Sequence, residues 1–226
     1  MASSIRHYSF IEKLLIEAQH AIETQTQTKK ISDEKTYHDL PALITNQDAV
    51  RLTEILTAQE LSHTKGCMRI NHTGEICAQA LYRGQAFFAE NDKLKTMLLN
   101  AAKEEEAHLN WCYTRLNQLN TKRSIFNPLW YAGSFLIGLI AGKQGEKISL
   151  GFIVETEKQV GIHIKEHLQT LSKQDHTTRI ILEKMKEDEQ VHAMQALQAG
   201  GKNLSYSTKK IMYFMASIMK AIVYRL

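Results

Sequence analysis

The sequence predicts an all-α fold built round four long helices in two antiparallel pairs. Three observations carry that expectation. Among 226 residues there are only two prolines and eleven glycines, which favours long helices over a strand-and-turn architecture. Apolar residues recur at helical spacing through most of the chain. The motif Glu-x-x-His at Glu105/His108 in "KEEEAHLN" also returns 84 residues later at Glu189/His192 in "KEDEQVHAMQ", and residues i and i+3 share one helix face.

Ile5 to Thr24 places Ile5, Phe10, Ile11, Leu14, Leu15 and Ala18 on one stripe and reads as an amphipathic helix. The polar, aperiodic stretch "TQTQTKKISDEKTYHDLPALITNQD" reads as a linker, and Ala49 to Leu61 as a weaker helix. Residues 1–60 are thus expected to form an N-terminal extension, and 61–226 the bundle domain. Two strong helices follow, Arg69 to Glu90 and Asn91 to Leu119, parted by the "ENDK" turn with Asn91 or Asp92 as N-cap. "NTKRSIFNPLWYAGSFLIGLIAGKQGEK" breaks the pattern with Pro128 and several glycines, so it reads as an apolar insert. Two further helices, Ile148 to Ser172 and His176 to Gln198, close on "AGGK". The tail from Lys209 to Leu226 alternates basic and apolar residues, as an amphipathic terminal helix does. Short turns within each pair make a four-helix bundle. Nothing resembles a βαβ unit or a glycine-rich phosphate loop.

Composition narrows the classes of function. Hydrophobic content of 43% and charged content of 23% are ordinary for a globular chain. A net charge of +4 is too small to argue for nucleic acid, though it suits an anionic membrane surface. Three cysteines, Cys67, Cys77 and Cys112, without CxxC spacing, point to a reducing compartment with neither structural disulfides nor a zinc knuckle. Charge mixed into the first residues leaves no secretory core. The longest apolar run, Leu129 to Gly142, has 14 residues, short of the roughly 20 that a spanning helix needs. Such a chain is not expected to cross a membrane, which leaves open that it lies on one.

If the two helix pairs are duplicates, each Glu-x-x-His helix should follow one carrying an inward carboxylate. In the first pair that residue is Glu75, in step with Met68, Ala78, Tyr82 and Ala86. In the second, "VETEK" offers Glu155 and Glu157. Glu157 shares a line with Ile153, Val160, Ile164, Leu168 and Leu171, whereas Glu155 runs with Gln159 and Glu166 on a polar face. Spacing agrees: Glu75 to Glu105 is 30 residues, Glu157 to Glu189 is 32, and Glu155 would give 34. Phase and spacing choose Glu157 provisionally. Glu105 lines up with Leu98, Ala101, Leu109, Cys112 and Leu116, while Glu104 and Glu106 point elsewhere, toward solvent. Glu189 lines up with Leu182, Met185 and Ala196.

Four carboxylates in apolar stripes are expensive, since a buried, unpartnered carboxylate costs several kcal/mol or takes up a proton. Two divalent or trivalent cations would sustain them. One Glu from each of two helices, with Glu-x-x-His from each of the other two, is the di-metal carboxylate pattern of ferritin-like bundles. The candidate ligands are Glu75, Glu105, His108, Glu157, Glu189 and His192, and mixed oxygen and imidazole donors suit iron or manganese over structural zinc. That set is complete without His72, His163 and His167, which are assigned to packing or to supporting the ligands, His163 foremost. Tyr82 reads as a core tyrosine or a hydrogen-bond partner, and the cysteines as core fillers.

"MRINHTGEICAQALYRGQA", "KEEEAHLNWC" and the later ETE…KEDEQVHA half resemble the demethoxyubiquinone hydroxylases of ubiquinone biosynthesis, in their bacterial form. The likeness runs from about Gly66 to the closing "YRL". It implies two iron ions per chain, held by Glu75 of the NHxGE element, the pairs Glu105/His108 and Glu189/His192, and Glu157. It also implies an oxidoreductase, a monooxygenase that hydroxylates the ring of a polyprenylated demethoxyubiquinol with O2 and two electrons. A long-tailed substrate would explain the apolar insert, with Trp130 and Tyr131 of types favoured at membrane interfaces, and the tail "KKIMYFMASIMKAIVYRL". The expected location is the cytoplasmic side of the cell membrane, peripherally bound, alone, as a homo-oligomer or with other ubiquinone-biosynthesis proteins. The competing readings are a ferritin-like iron-storage or metal-binding protein, and insert and tail that complete the core or a dimer interface.

Overall fold

The computed structural model describes residues 9–26 and 55–226. Among them are seven helices and no strand: α1 Phe10–Thr26, α2 Ala58–Phe88, α3 Asp92–Gln118, α4 Asn127–Lys143, α5 Glu146–Thr170, α6 His176–Gln198 and α7 Tyr206–Val223. The all-α expectation holds, and α2/α3 and α5/α6 are the two expected pairs. Of the expected first helix, residues 5–8 lie outside the described residues, as does the greater part of the polar linker.

Local chemistry sets the helix ends. α2 begins at Ala58, eleven residues before the expected start, because Thr57 and Glu60 form a capping box. The Glu60 amide donates to Thr57 Oγ1 at 3.3 Å and the Thr57 amide to Glu60 Oε2 at 2.9 Å. Of the weaker helix expected over Ala49 to Leu61, residues 49–54 lie outside the described residues, and Ala58–Leu61 is the first turn of α2. Asn91 caps α3, accepting from the Lys93 amide at 2.9 Å. Asp175 caps α6 through the Thr178 amide at 3.1 Å and pairs with Arg115 of α3 at 2.9 Å, both side chains fully buried. That buried pair, joined by Thr64 of α2, ties three bundle helices together at one end.

The apolar insert is a regular helix, a correction to its reading as a break. Pro128 sits in the first turn of α4, where its missing N–H costs nothing. Two of the glycines that read as breakers are contact points with α2: a Cβ on Gly138 would meet the Leu81 carbonyl oxygen and one on Gly142 that of Gln85, while one on Gly84 of α2 would meet the Phe135 carbonyl oxygen. α4 therefore packs backbone to backbone on α2 and leaves Leu129, Leu136 and Ile140 facing outward. α1 lies against α2 and α4, held by Arg83 donating to both carboxylate oxygens of Glu17 at 2.7 and 3.1 Å. α7 returns to α2, where Arg69 takes the Val223 and Tyr224 carbonyls.

The bundle interior is split into two apolar regions. One holds Met68, Trp111, Cys112, Ile164, Leu182 and Met185. The other holds Ala78, Tyr82, Leu98, Ala102, Leu150, Ile153 and Ala196. Their sequence positions bracket Glu75, Glu105, Glu157 and Glu189 on all four helices, so a polar layer crosses the middle. No helix among the described residues is long and apolar enough to cross a membrane.

Candidate metal centre

Each candidate ligand comes from the middle of a bundle helix: Glu75 from α2, Glu105 and His108 from α3, Glu157 from α5, Glu189 and His192 from α6. Heptad-like apolar phase turns all six inward, and every one is buried. Glu155, two residues from Glu157, points away: it accepts from Gln159 at 2.8 Å and pairs with Lys209 of α7 at 3.3 Å.

The six residues form two overlapping groups. Ligand atoms of Glu75, Glu105, His108 and Glu189 lie within 4.8 Å of one another, and so do those of Glu105, Glu157, Glu189 and His192. Glu105 and Glu189 belong to both groups and have the placement of bridging carboxylates. Glu75 with His108 completes one side, and Glu157 with His192 the other. The pseudo-symmetry follows from two helix pairs, α2/α3 and α5/α6, that each carry a glutamate on the first helix and Glu-x-x-His on the second.

Electrostatics show what the layer lacks when only protons are available. Burial raises the pKa of Glu75 well above the carboxylate range, against the pull of His108. Burial, then Glu189, does the same to Glu157. Glu105 and Glu189 are also pushed up by burial, but the imidazoles hold Glu105 below the usual value, and a hydrogen bond with Glu157 and then the imidazoles hold Glu189 below it. His108 and His192 would be lowered by burial, yet the surrounding carboxylates raise both. Two divalent cations beside neutral rings balance the charge of four carboxylates, which is why this donor set fits a metal pair. Geometry agrees with that fit. Oε1 of Glu157 is buried without a hydrogen-bond partner, and so is Oε1 of Glu105, although His192 Nδ1 lies 3.3 Å from the latter.

The structure corrects one reading of the first motif. Glu104 was expected to face solvent, and its side chain is exposed, but its Oε2 lies 2.8 Å from His192 Nε2. In the other direction Asp188 Oδ2 lies 3.2 Å from His108 Nε2. Both histidines thus aim Nδ1 at the carboxylates and Nε2 at an acid on the opposite Glu-x-x-His helix. Each such acid immediately precedes the buried glutamate of its own motif. Sequence carries the signal, since the repeat is acid-Glu-x-x-His both times, but an acid adjacent to an inward residue reads as a surface position.

His72, His163 and His167 stay outside the layer. His163 Nε2 lies 3.2 Å from Asn71 Oδ1, and the Asn71 amide nitrogen lies 3.2 Å from His167 Nδ1. His72 is fully buried on α2 with its ring 6.3 Å from that of Tyr113. Cys67 and Cys112 are buried free thiols within the apolar core and Cys77 is half-buried.

The family model of ubiquinone biosynthesis protein COQ7 matches residues 62–223, which contain every candidate ligand. A protein of Xanthomonas euvesicatoria pv. vesicatoria (strain 85-10) is 43% identical over 224 residues, 99% of this chain and 98% of the relative. One from Coxiella burnetii (strain RSA 493 / Nine Mile phase I) is 42% identical over 224 residues, 99% of each. A third, from Ralstonia pickettii (strain 12J), is 47% identical over 182 residues, 80% of this chain and 82% of the relative. All three are named 3-demethoxyubiquinol 3-hydroxylase.

Proposed function

The chain belongs to the COQ7 family of ubiquinone biosynthesis proteins, and from that premise we propose that it hydroxylates the ring of a demethoxyubiquinol at a pair of iron ions. The carrying observation is the pair of overlapping ligand groups that share Glu105 and Glu189. Bound there, an iron pair supplies the two-electron chemistry that activates O2 toward an electron-rich ring.

The chain's own residues prepare that site. Glu75 and Glu157 would bind terminally, Glu105 and Glu189 between the two positions, and His108 and His192 through Nδ1. Asp188 and Glu104 accept from the Nε2–H groups, which fixes each ring's tautomer and leaves Nδ1 free to ligate. The apolar regions on either side of the layer keep bulk water from the reacting centre.

The substrate reading also supports a membrane location. A polyprenylated quinol partitions into lipid, and α4 and α7 carry Leu129, Leu136, Ile140, Ile211, Phe214 and Ile218 on the outside. We place the protein peripherally on the cytoplasmic face of the cell membrane. An iron-storage role is not favoured, because a storage subunit needs polar outer faces and the relatives are named as hydroxylases.

The test is iron content of anaerobically purified protein together with O2-dependent hydroxylation of a short-chain demethoxyquinol. Two irons per chain and turnover are expected, and Glu105→Ala or His192→Ala should lower the first and abolish the second. Full activity in either variant overturns the site.

A further inference from the structure

The two sides of the acidic layer are built differently. One turn away on one side lie Ala78, three residues after Glu75, and Ala102, three before Glu105. Ile153, four before Glu157, and Ala196, four after His192, complete it. All four are buried in one cluster, and three are alanine. On the other side the residues one turn away include Met185, four before Glu189, and Trp111, three after His108, with Met68 and Ile164 a further turn off. Above the alanine side, one turn beyond Ala78, stands Tyr82. It is fully buried, and its hydroxyl has no hydrogen-bond partner among the described residues. A helical side chain leans back over the preceding turn, so the Tyr82 phenol is carried toward Ala78 and Glu75.

We propose that the alanine side of the layer is where the quinol ring is held and that the Tyr82 hydroxyl is its hydrogen-bond partner. The proposal rests on the hydroxylase reading and names the residues that orient the substrate. A buried hydroxyl without a partner is costly, and it is retained where a partner arrives with the ligand. A quinol ring carries oxygen substituents that answer a single phenol. It also needs width beside the metal ligands, and short side chains on three helices provide it. Tyr82 acts as a substrate-positioning residue that takes no part in proton or electron transfer.

The experiment uses iron-loaded full-length protein and a short-chain demethoxyquinol. Tyr82→Phe should keep its iron and raise the thermal midpoint by about 2–4 °C, because an unsatisfied group is removed. Its KM should rise about five- to tenfold, with kcat changing less. Ala102→Leu should keep its iron and lose quinol turnover. An unchanged KM in Tyr82→Phe, a lowered midpoint, or turnover retained in Ala102→Leu each overturns the proposal. Wild-type protein that does not hydroxylate at all refutes instead the hydroxylase reading, so the two failures are distinguishable.

Discussion

Oε2 of Glu104 stands 2.8 Å from Nε2 of His192, across the bundle from its own helix. Its twin, Asp188 with His108 at 3.2 Å, is built the same way in reverse. Each acid precedes one ligand glutamate and steadies the histidine of the other motif, so the two halves of the site orient each other. Acids placed like this typically matter by 10–100-fold in metal affinity. Glu104→Ala and Asp188→Ala are therefore expected to weaken iron binding by roughly that factor, while the exposed neighbour Glu187→Gln is expected to leave it unchanged. Competition against a chelator measures both. Equal affinity in wild type and Glu104→Ala would show the contact to be decorative.

Helical phase separates the two glutamates of "VETEK", and their surroundings separate them again. Glu157 is buried with an unpartnered Oε1, whereas Glu155 is engaged by Gln159 and Lys209. Glu157→Gln should lower iron content and turnover strongly, and Glu155→Gln should be nearly silent in both. Iron analysis alongside the hydroxylation assay decides the matter, and the reverse pattern would mean that α5 is turned about its axis.

The six candidate ligands were legible because two kinds of regularity coincided, a repeated Glu-x-x-His and an apolar phase that admitted one upstream glutamate per pair. Glu104 and Asp188 were not, since their contacts cross between helices and adjacency along the chain gives no sign of that. α4 was misread for a related reason. Gly133, Gly138 and Gly142 lower local helix propensity, and the close approach of Gly138 and Gly142 to α2 shows why those two are tolerated. The early start of α2 was readable in principle, since Thr57 and Glu60 have capping-box spacing, but the apolar rhythm upstream of Arg69 is weak.

Three histidines outside the metal layer give the fold a pH dependence of definite sign. Burial and then nearby cationic groups lower His163 to about 3 and His167 to about 4, and burial then Arg123 lowers His72 to about 3. An unfolded imidazole titrates near about 6.5. Between those values the unfolded chain binds more protons than the folded one. Stability is then full above about pH 6.5 and falls as pH drops through the window, by up to about 1.4 kcal/mol per unit for each histidine. His108 and His192 have raised values without metal and would contribute with the opposite sign, so the protein must be iron-saturated. Urea unfolding at pH 7 and pH 5.5 should show the loss, and His167→Gln should reduce its slope by about one proton's worth. A slope indifferent to that substitution counts against this account.

The proposed membrane face can be tested without disturbing the bundle, because the structure divides the apolar residues of α4 by direction. Phe135 is half-buried and meets the ring of Phe87 at 6.5 Å, so replacing it would loosen the α2–α4 contact. Leu129, Leu136 and Ile140 are 64%, 58% and 60% exposed and do little for the fold where they stand. On α7, Ile211, Phe214 and Ile218 are likewise outward. Burying a large apolar side chain is worth about 1.5–3 kcal/mol before ordering costs, so six of them suffice for peripheral binding. Electrostatic help is smaller than the basic tail suggests, since Lys209 pairs with Glu155 at 3.3 Å and Lys220 lies 4.0 Å from Glu166. Replacing Leu129, Leu136 and Ile140 with serine should release the protein from anionic liposomes and impair turnover of a long-tailed quinol. The same variant should keep its thermal midpoint and its activity on a short-chain analogue, because Gly84 and Gly138 still seat α4. Cosedimentation equal to wild type would assign these side chains to a contact between protein subunits instead.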